Sequence, residues 1–152
     1  MLNRKEAKES LQARMAMFEQ ACQQAGLKLT HQRLEIFSEL AASTDHPSAE
    51  TLHRRLRQRM PTLSLDTIYR TLGSLEENGL ITRVKTGESQ ARFEAEQRHH
   101  HHLVCERCHE IIDFQWQTFD DSVLPDEILQ WGKIKNKNAI LQGLCKKCLD
   151  SV

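Results

Sequence analysis

The sequence predicts an α+β chain in two parts: a winged helix-turn-helix over residues 1–94 and a smaller, metal-stapled α/β part over residues 95–152. Three observations carry this. Apolar residues recur at helical spacing in the first 80 residues, with Thr, Ser or Gly at the boundaries. Strand-like segments then flank a turn at "TGE". Finally, two CxxC pairs lie 36 residues apart in the second part, a spacing that joins distant segments.

Residues 1–9 read as a polar extension. Leu11, Met15, Phe18 and Cys22 form the stripe of a first helix that ends before Gly26, and Cys22 belongs to the core as a small hydrophobe. A second helix follows Thr30, turning Leu34, Phe37 and Leu40 inward. A third follows Ser48, placed as an N-cap behind "HP". A fourth starts after Ser64 and stops by Gly79, with Leu65, Ile68, Leu72 and Leu75 on one stripe. Asp66, Arg70 and Ser74 lie opposite that stripe and Tyr69 on its flank, so the helix is half core and half display. "LITRVK" and "SQARFEA" then pair as the wing.

A helix displayed in this way enters the major groove, where Arg70 matches a guanine edge and the Tyr69 ring a thymine methyl. The bland alternative makes Arg70 a solvated charge and Tyr69 the edge of the core. The basic run Arg54, Arg55, Arg57 and Arg59 is equally open between phosphate contact and a solvated cationic face.

Charge and composition set the surroundings. Net charge is zero over 152 residues, but residues 1–92 carry 14 Lys and Arg against 11 Asp and Glu, whereas residues 93–152 carry 7 against 10. The basic front half fits a nucleic-acid partner. No apolar run reaches the roughly 20 residues that span a bilayer, and "MLNRKEAKES" has no signal-peptide core, so no membrane partner and a cytoplasmic location are expected. In that compartment the five cysteines read as thiols or metal ligands, not disulfides.

Cys105 and Cys108, with Cys145 and Cys148, offer four thiolates for a tetrahedral structural zinc with no open position for catalysis. Just before them stands "HHHH". A strand sends alternate residues to opposite faces, so His100 and His102 share one side and His99 and His101 the other. With the knuckle reversing the chain between Glu106 and Arg107, Asp113 falls opposite His100, and Glu94 shares its parity if the strand runs on from "RFEAE". A second metal site on these residues competes with a reading of solvated histidines.

The stretches "AGLKLTHQRLEI", "HPSAETL", "LDTIYRTLGSLEENGLI", "HHHHLVCERC" and "GLCKKC" together resemble the ferric uptake regulator family, dimeric metal-responsive repressors, from about Ala25 to Cys148. The resemblance implies an N-terminal winged-helix domain that binds double-stranded operator DNA and a C-terminal α/β dimerisation domain holding the zinc. It adds His46 as a ligand, making the regulatory set His46, Glu94, His100, His102 and Asp113 for Fe²⁺ or Mn²⁺. It also adds Lys28 as a minor-groove contact beside Tyr69 and Arg70. Three imidazoles and two carboxylates suit these ions. Because His46 comes from the DNA-binding half, metal binding would favour one interdomain geometry.

Asp113 resembles the peroxide-sensing branch, where oxidation of His46 or His100 would release DNA, whereas Glu94 points toward the iron-uptake branch. A manganese-responsive regulator is the further alternative within the family. The family's additional metal site is expected to be empty, since Lys137 stands where a histidine belongs beside His99 and His101. A metal-dependent hydrolase is the reading from another class, and the absence of HExxH argues against it.

Overall fold

The computed structural model describes residues 4–96 and 98–151, with side chains from Ser10 onward. The chain forms two compact units that divide between residues 97 and 98.

The first unit opens with α1 (Arg4–Gln24), so the segment expected as a polar extension is helical from Arg4; residues 1–3 lie outside the described residues. Arg, Lys, Glu and Ala are good helix formers and carry the helix past its apolar stripe. Phe18 and Cys22 of that stripe are buried, and Leu11 and Met15 pack against the same core. The Phe18 ring stacks on Phe37 with centroids 3.8 Å apart, joining α1 to α2 (His31–Ala42). Two more helices follow, α3 (Ala49–Leu56) and α4 (Leu65–Glu77). Thr30, Ser48 and Ser64 cap α2, α3 and α4, each side chain accepting the backbone N–H three residues on. Ile68, Leu72 and Leu75 line the buried side of α4.

The wing pairs β1 (Thr82–Val84) with β2 (Arg92–Glu94), antiparallel with Arg83 opposite Phe93. Both strands are shorter than the expected segments. β2 is held to the chain before α3, since the Phe93 N–H donates to the Pro47 carbonyl.

The second unit is a three-stranded sheet ordered β4-β3-β5, from β3 (His101–Cys105), β4 (Ile111–Phe114) and β5 (Ile140–Gly143). The short helices α5 (Gln117–Asp120) and α6 (Asp126–Trp131) carry the chain between β4 and β5, and α7 (Lys146–Asp150) follows β5. β3 is antiparallel to β4 and parallel to β5. That parallel pairing brings the ends of β3 and β5, each next to a CxxC pair, to the same end of the sheet.

Candidate metal centres and recognition helix

Cys105 closes β3 beside Gly143 of β5, two residues before Cys145. The Glu106 N–H donates to the Gly143 carbonyl at 2.8 Å, and the Cys145 N–H to Cys105 Sγ at 3.3 Å. Cys108 in the knuckle and Cys148 in α7 complete the group, and one Sγ from each of the four lies within 4.8 Å of every other. Arg107 donates to the Cys148 carbonyl at 2.6 Å, tying the knuckle to α7. Backbone N–H groups of Cys108 and Cys145 bring the Cys105 thiol down to about 6, whereas burial and neighbouring sulfurs push Cys148 up to about 12. The four side chains fit a structural zinc, which would join the knuckle after β3 to the segment after β5.

On β3, His102 pairs with Asp113, not His100 as expected. The Cys105 N–H bonds to the Glu110 carbonyl, and His109 turns through φ +63°, so the knuckle is centred one residue later and the register moves by two. A shift of two preserves the face. Asp113 Oδ1 therefore lies 3.3 Å from His102 Nε2 and 3.7 Å from His100 Nε2. The two Nε2 atoms are 3.1 Å apart, the separation of two nitrogens each about 2.1 Å from one ion at a right angle. His100 Nδ1 donates to the Arg98 carbonyl at 2.6 Å, which leaves Nε2 as the unprotonated nitrogen of the neutral ring.

In the first unit, His46 Nε2 stands 3.1 Å from Glu94 Oε2. His46 precedes a proline and adopts φ +51°, a conformation uncommon outside glycine. Arg92 holds it there by donating to the carbonyls of both Asp45 and His46. Arg92 and Glu94 are two apart on β2 and so reach to the same side. β2 ends at Glu94 and β3 begins at His101 in the other unit, so the expected single strand through both is replaced by two.

The other face of "HHHH" carries a different cluster. His99 Nε2 and His101 Nε2 lie 3.0 and 2.8 Å from the same Asp120 oxygen. His101 is buried, with Phe114 and Phe119 against its ring, and its Nδ1 accepts the Ala139 N–H at 2.9 Å. Burial pushes the Asp120 carboxyl up, but hydrogen bonds from His99 and His101 hold it below its ordinary range. Lys137 donates to the Ser122 carbonyl at 2.9 Å and lies over the Phe119 ring. Asp120 had no signal in the sequence, because its helix follows β4 without a metal-ligand spacing.

On α4, the Arg70 side chain is 80% exposed and pairs with Asp66 at 3.0 Å one turn back. Tyr69 is half exposed and donates its hydroxyl to Glu50 of α3. Lys28 is exposed between α1 and α2. The basic run is largely committed within the unit: Arg55 pairs with Asp45, and Arg59 with Glu35 and Glu39.

A sequence model of the ferric uptake regulator family matches residues 24–140. The peroxide-responsive repressor PerR of Staphylococcus aureus is 30% identical over 127 residues, covering 84% of this chain and 86% of that protein. Among solved structures, the ferric uptake regulator of Helicobacter pylori, described as having three functional metal binding sites, aligns with TM-score 0.76 and 28% identity over 91% of this chain and 93% of that one. The ferric uptake regulator of Vibrio cholerae aligns with TM-score 0.68 and 34% identity over 83% of this chain and 98% of that one. PerR of Streptococcus pyogenes aligns with TM-score 0.52 and 26% identity over 88% and 92%.

Proposed function

The chain belongs to the ferric uptake regulator family, and from that premise we propose that it is a dimeric, metal-dependent repressor of transcription that binds operator DNA and is released by peroxide. The observation that carries the regulatory reading is the sulfur-free group of His100 Nε2, His102 Nε2 and Asp113, with the His100 ring fixed from behind by a backbone carbonyl. Such donors suit Fe²⁺ or Mn²⁺ better than a thiophilic ion. His46 and Glu94 form a second, preformed pair in the first unit. The assignment of both sets to one regulatory ion remains part of this proposal. An ion that binds better to the DNA-competent state raises DNA affinity by the same factor that DNA raises its own.

Homodimerisation is supported by the second unit's apolar sheet face. Leu103, Ile112 and Leu141 are cross-strand neighbours, each at least 40% exposed. An apolar face of this kind marks an interaction site. No helix among the described residues is long and apolar enough to cross a membrane. A cytoplasmic regulator, not an enzyme, is the role proposed.

Bound Fe²⁺ would supply one-electron chemistry toward peroxide that Mn²⁺ does not. The chain's own part is to hold His46 and His100 so that one of the two rings gains an oxygen atom while one peroxide is reduced to water. The test compares Fe²⁺-loaded and Mn²⁺-loaded protein on DNA before and after low-dose peroxide, with peptide mass spectrometry. The proposal expects the added oxygen on the His46 or His100 peptide, with DNA release, in the Fe²⁺ form alone. Fe²⁺ protein that keeps its DNA and oxidises only at cysteine or methionine supports an iron-uptake regulator instead, a reading favoured by the Helicobacter pylori and Vibrio cholerae alignments.

A further inference from the structure

The hydroxyl of Tyr69 is engaged within the protein. It donates to Glu50, a residue of the neighbouring helix, while the ring stays half exposed on the flank of α4. We propose that Glu50 is a positioning residue for sequence reading: by taking the Tyr69 hydroxyl proton it fixes the phenol ring so that its apolar edge, not its hydroxyl, meets a base. This rests on Tyr69 being a DNA contact.

Three features support it. First, Glu50 sits in the first turn of α3, two residues after the Ser48 cap, where the backbone is fixed by the cap's bonds to Thr51. An exposed tyrosine on its own samples several side-chain rotamers. A bond to an anchored carboxylate on another helix selects one. Second, a phenol has a single proton to donate. With that proton given to a carboxylate, Tyr69 cannot donate to a phosphate, and the negative charge beside it repels one. What remains is apolar contact, and in the major groove the apolar group is the thymine methyl. The carboxylate keeps its charge at neutral pH, since the Tyr69 bond holds Glu50 below its ordinary range.

Third, the neighbouring reader is held differently. Arg70 pairs with Asp66 on its own helix, with both side chains more than two-thirds exposed. Exposed pairs of this kind are weak and open readily when a better acceptor arrives. Arg70 is thus free to turn to a guanine, whereas Tyr69 is preset. The two adjacent residues divide the work of adaptable and rigid contact.

The test uses Mn²⁺-loaded full chain and a duplex that it selects from a random pool. Each thymine is then replaced by uracil, which removes only the methyl group, and binding is followed by fluorescence anisotropy. Wild type should lose affinity several-fold at one or two thymine positions. Tyr69→Ala should abolish that penalty. Glu50→Ala and Tyr69→Phe should each cut it by more than half, and Glu50→Gln, which keeps a carbonyl acceptor, should largely preserve it. Tyr69→Phe removes the same bond from the other side without touching α3, so misfolding of the Glu50 variant does not decide the result.

If Tyr69→Ala abolishes the uracil penalty while Glu50→Ala and Tyr69→Phe keep it whole, Tyr69 reads the base but Glu50 does not position it, and the proposal is overturned alone. If wild type shows no uracil penalty, or Tyr69→Ala leaves it unchanged, the assignment of Tyr69 falls as well.

Discussion

Neighbouring histidines His100 and His101 face opposite kinds of backbone group with the same ring atom: His100 Nδ1 meets the Arg98 carbonyl at 2.6 Å, and His101 Nδ1 meets the Ala139 N–H at 2.9 Å. A carbonyl only accepts and an N–H only donates, so the two rings carry opposite tautomers. His100 keeps the proton on Nδ1 and turns a lone pair outward from Nε2. His101 keeps it on Nε2 and gives it to Asp120. Metal at His101 Nε2 would require either loss of the Ala139 bond or an imidazolate. The bonds of His99 and His101 to Asp120 tie the start of β3 to α5, and the Ala139 bond ties it to the approach to β5, although the three side chains also lie close enough together to hold an ion.

Metal titrations of zinc-loaded protein separate the two faces. Losing even an outer partner of a metal ligand costs about 10- to 100-fold in affinity, so His100→Ala should weaken Mn²⁺ binding by at least that much. Asp120→Asn should leave Mn²⁺ stoichiometry unchanged and instead lower thermal stability, since it removes the charged acceptor shared by His99 and His101. Loss of a bound metal ion in Asp120→Asn, with thermal stability intact, would show that the cluster is a metal site after all.

For the thiolates, the expected outcome is one tightly held zinc per chain that survives treatment emptying the regulatory site. Structural zinc contributes apparent binding of about 10 to 16 kcal/mol to small domains, so Cys105→Ser should lose zinc and weaken the dimer. The pKa directions add a proton count. Cys105, at about 6, is already a thiolate at pH 7.5, whereas at Cys108 the lowering by the Glu110 backbone is outweighed by the bonds to the Cys105 and Cys145 sulfurs together with burial, and Cys148 is raised by burial. Zinc loading should thus release protons, those of Cys108 and Cys148 among them, and zinc affinity should rise with pH. A pH-indicator dye in weak buffer reads the release; loading without proton release contradicts the assignment of these thiols as ligands.

DNA contacts differ in what they should cost. Arg70→Ala should lose about 1 to 3 kcal/mol on a selected duplex and relax choice at one base pair. Lys28→Ala should weaken all duplexes alike and reduce the salt slope by about 1. Binding curves at several salt concentrations check both. An equal loss on every sequence for Arg70→Ala would make it a phosphate contact.

Asp113→Glu adds one methylene and moves the carboxylate relative to the His102 and His100 nitrogens, now 3.3 and 3.7 Å away. Peroxide-driven release of DNA from the Fe²⁺ form should be blunted together with histidine oxidation, while Mn²⁺-dependent DNA binding persists. Undiminished peroxide release in this variant would remove Asp113 from the sensing role.

The sequence alone determined where α2, α3 and α4 begin, the buried stripe of α4 and the two thiol pairs, because each rests on local rules, whereas α1 starts earlier than its apolar stripe indicated. Thr30, Ser48 and Ser64 cap the helices they precede. Ile68, Leu72 and Leu75 repeat at the helical period. Alternation along β3 likewise assigned His100 and His102 to one face, and it survived a register error of two because side chains repeat every two residues. Tertiary structure decided what periodicity does not encode. The knuckle's left-handed His109 set the register, and the parallel pairing of β3 with β5 brought Cys105 beside the second cysteine pair. Partners far along the chain, Asp120 for His101 and Glu50 for Tyr69, then fixed which nitrogen holds a proton and which hydroxyl is already spent. A tautomer depends on the group facing the ring, and that group is chosen by folding, not by the residue's neighbours in sequence.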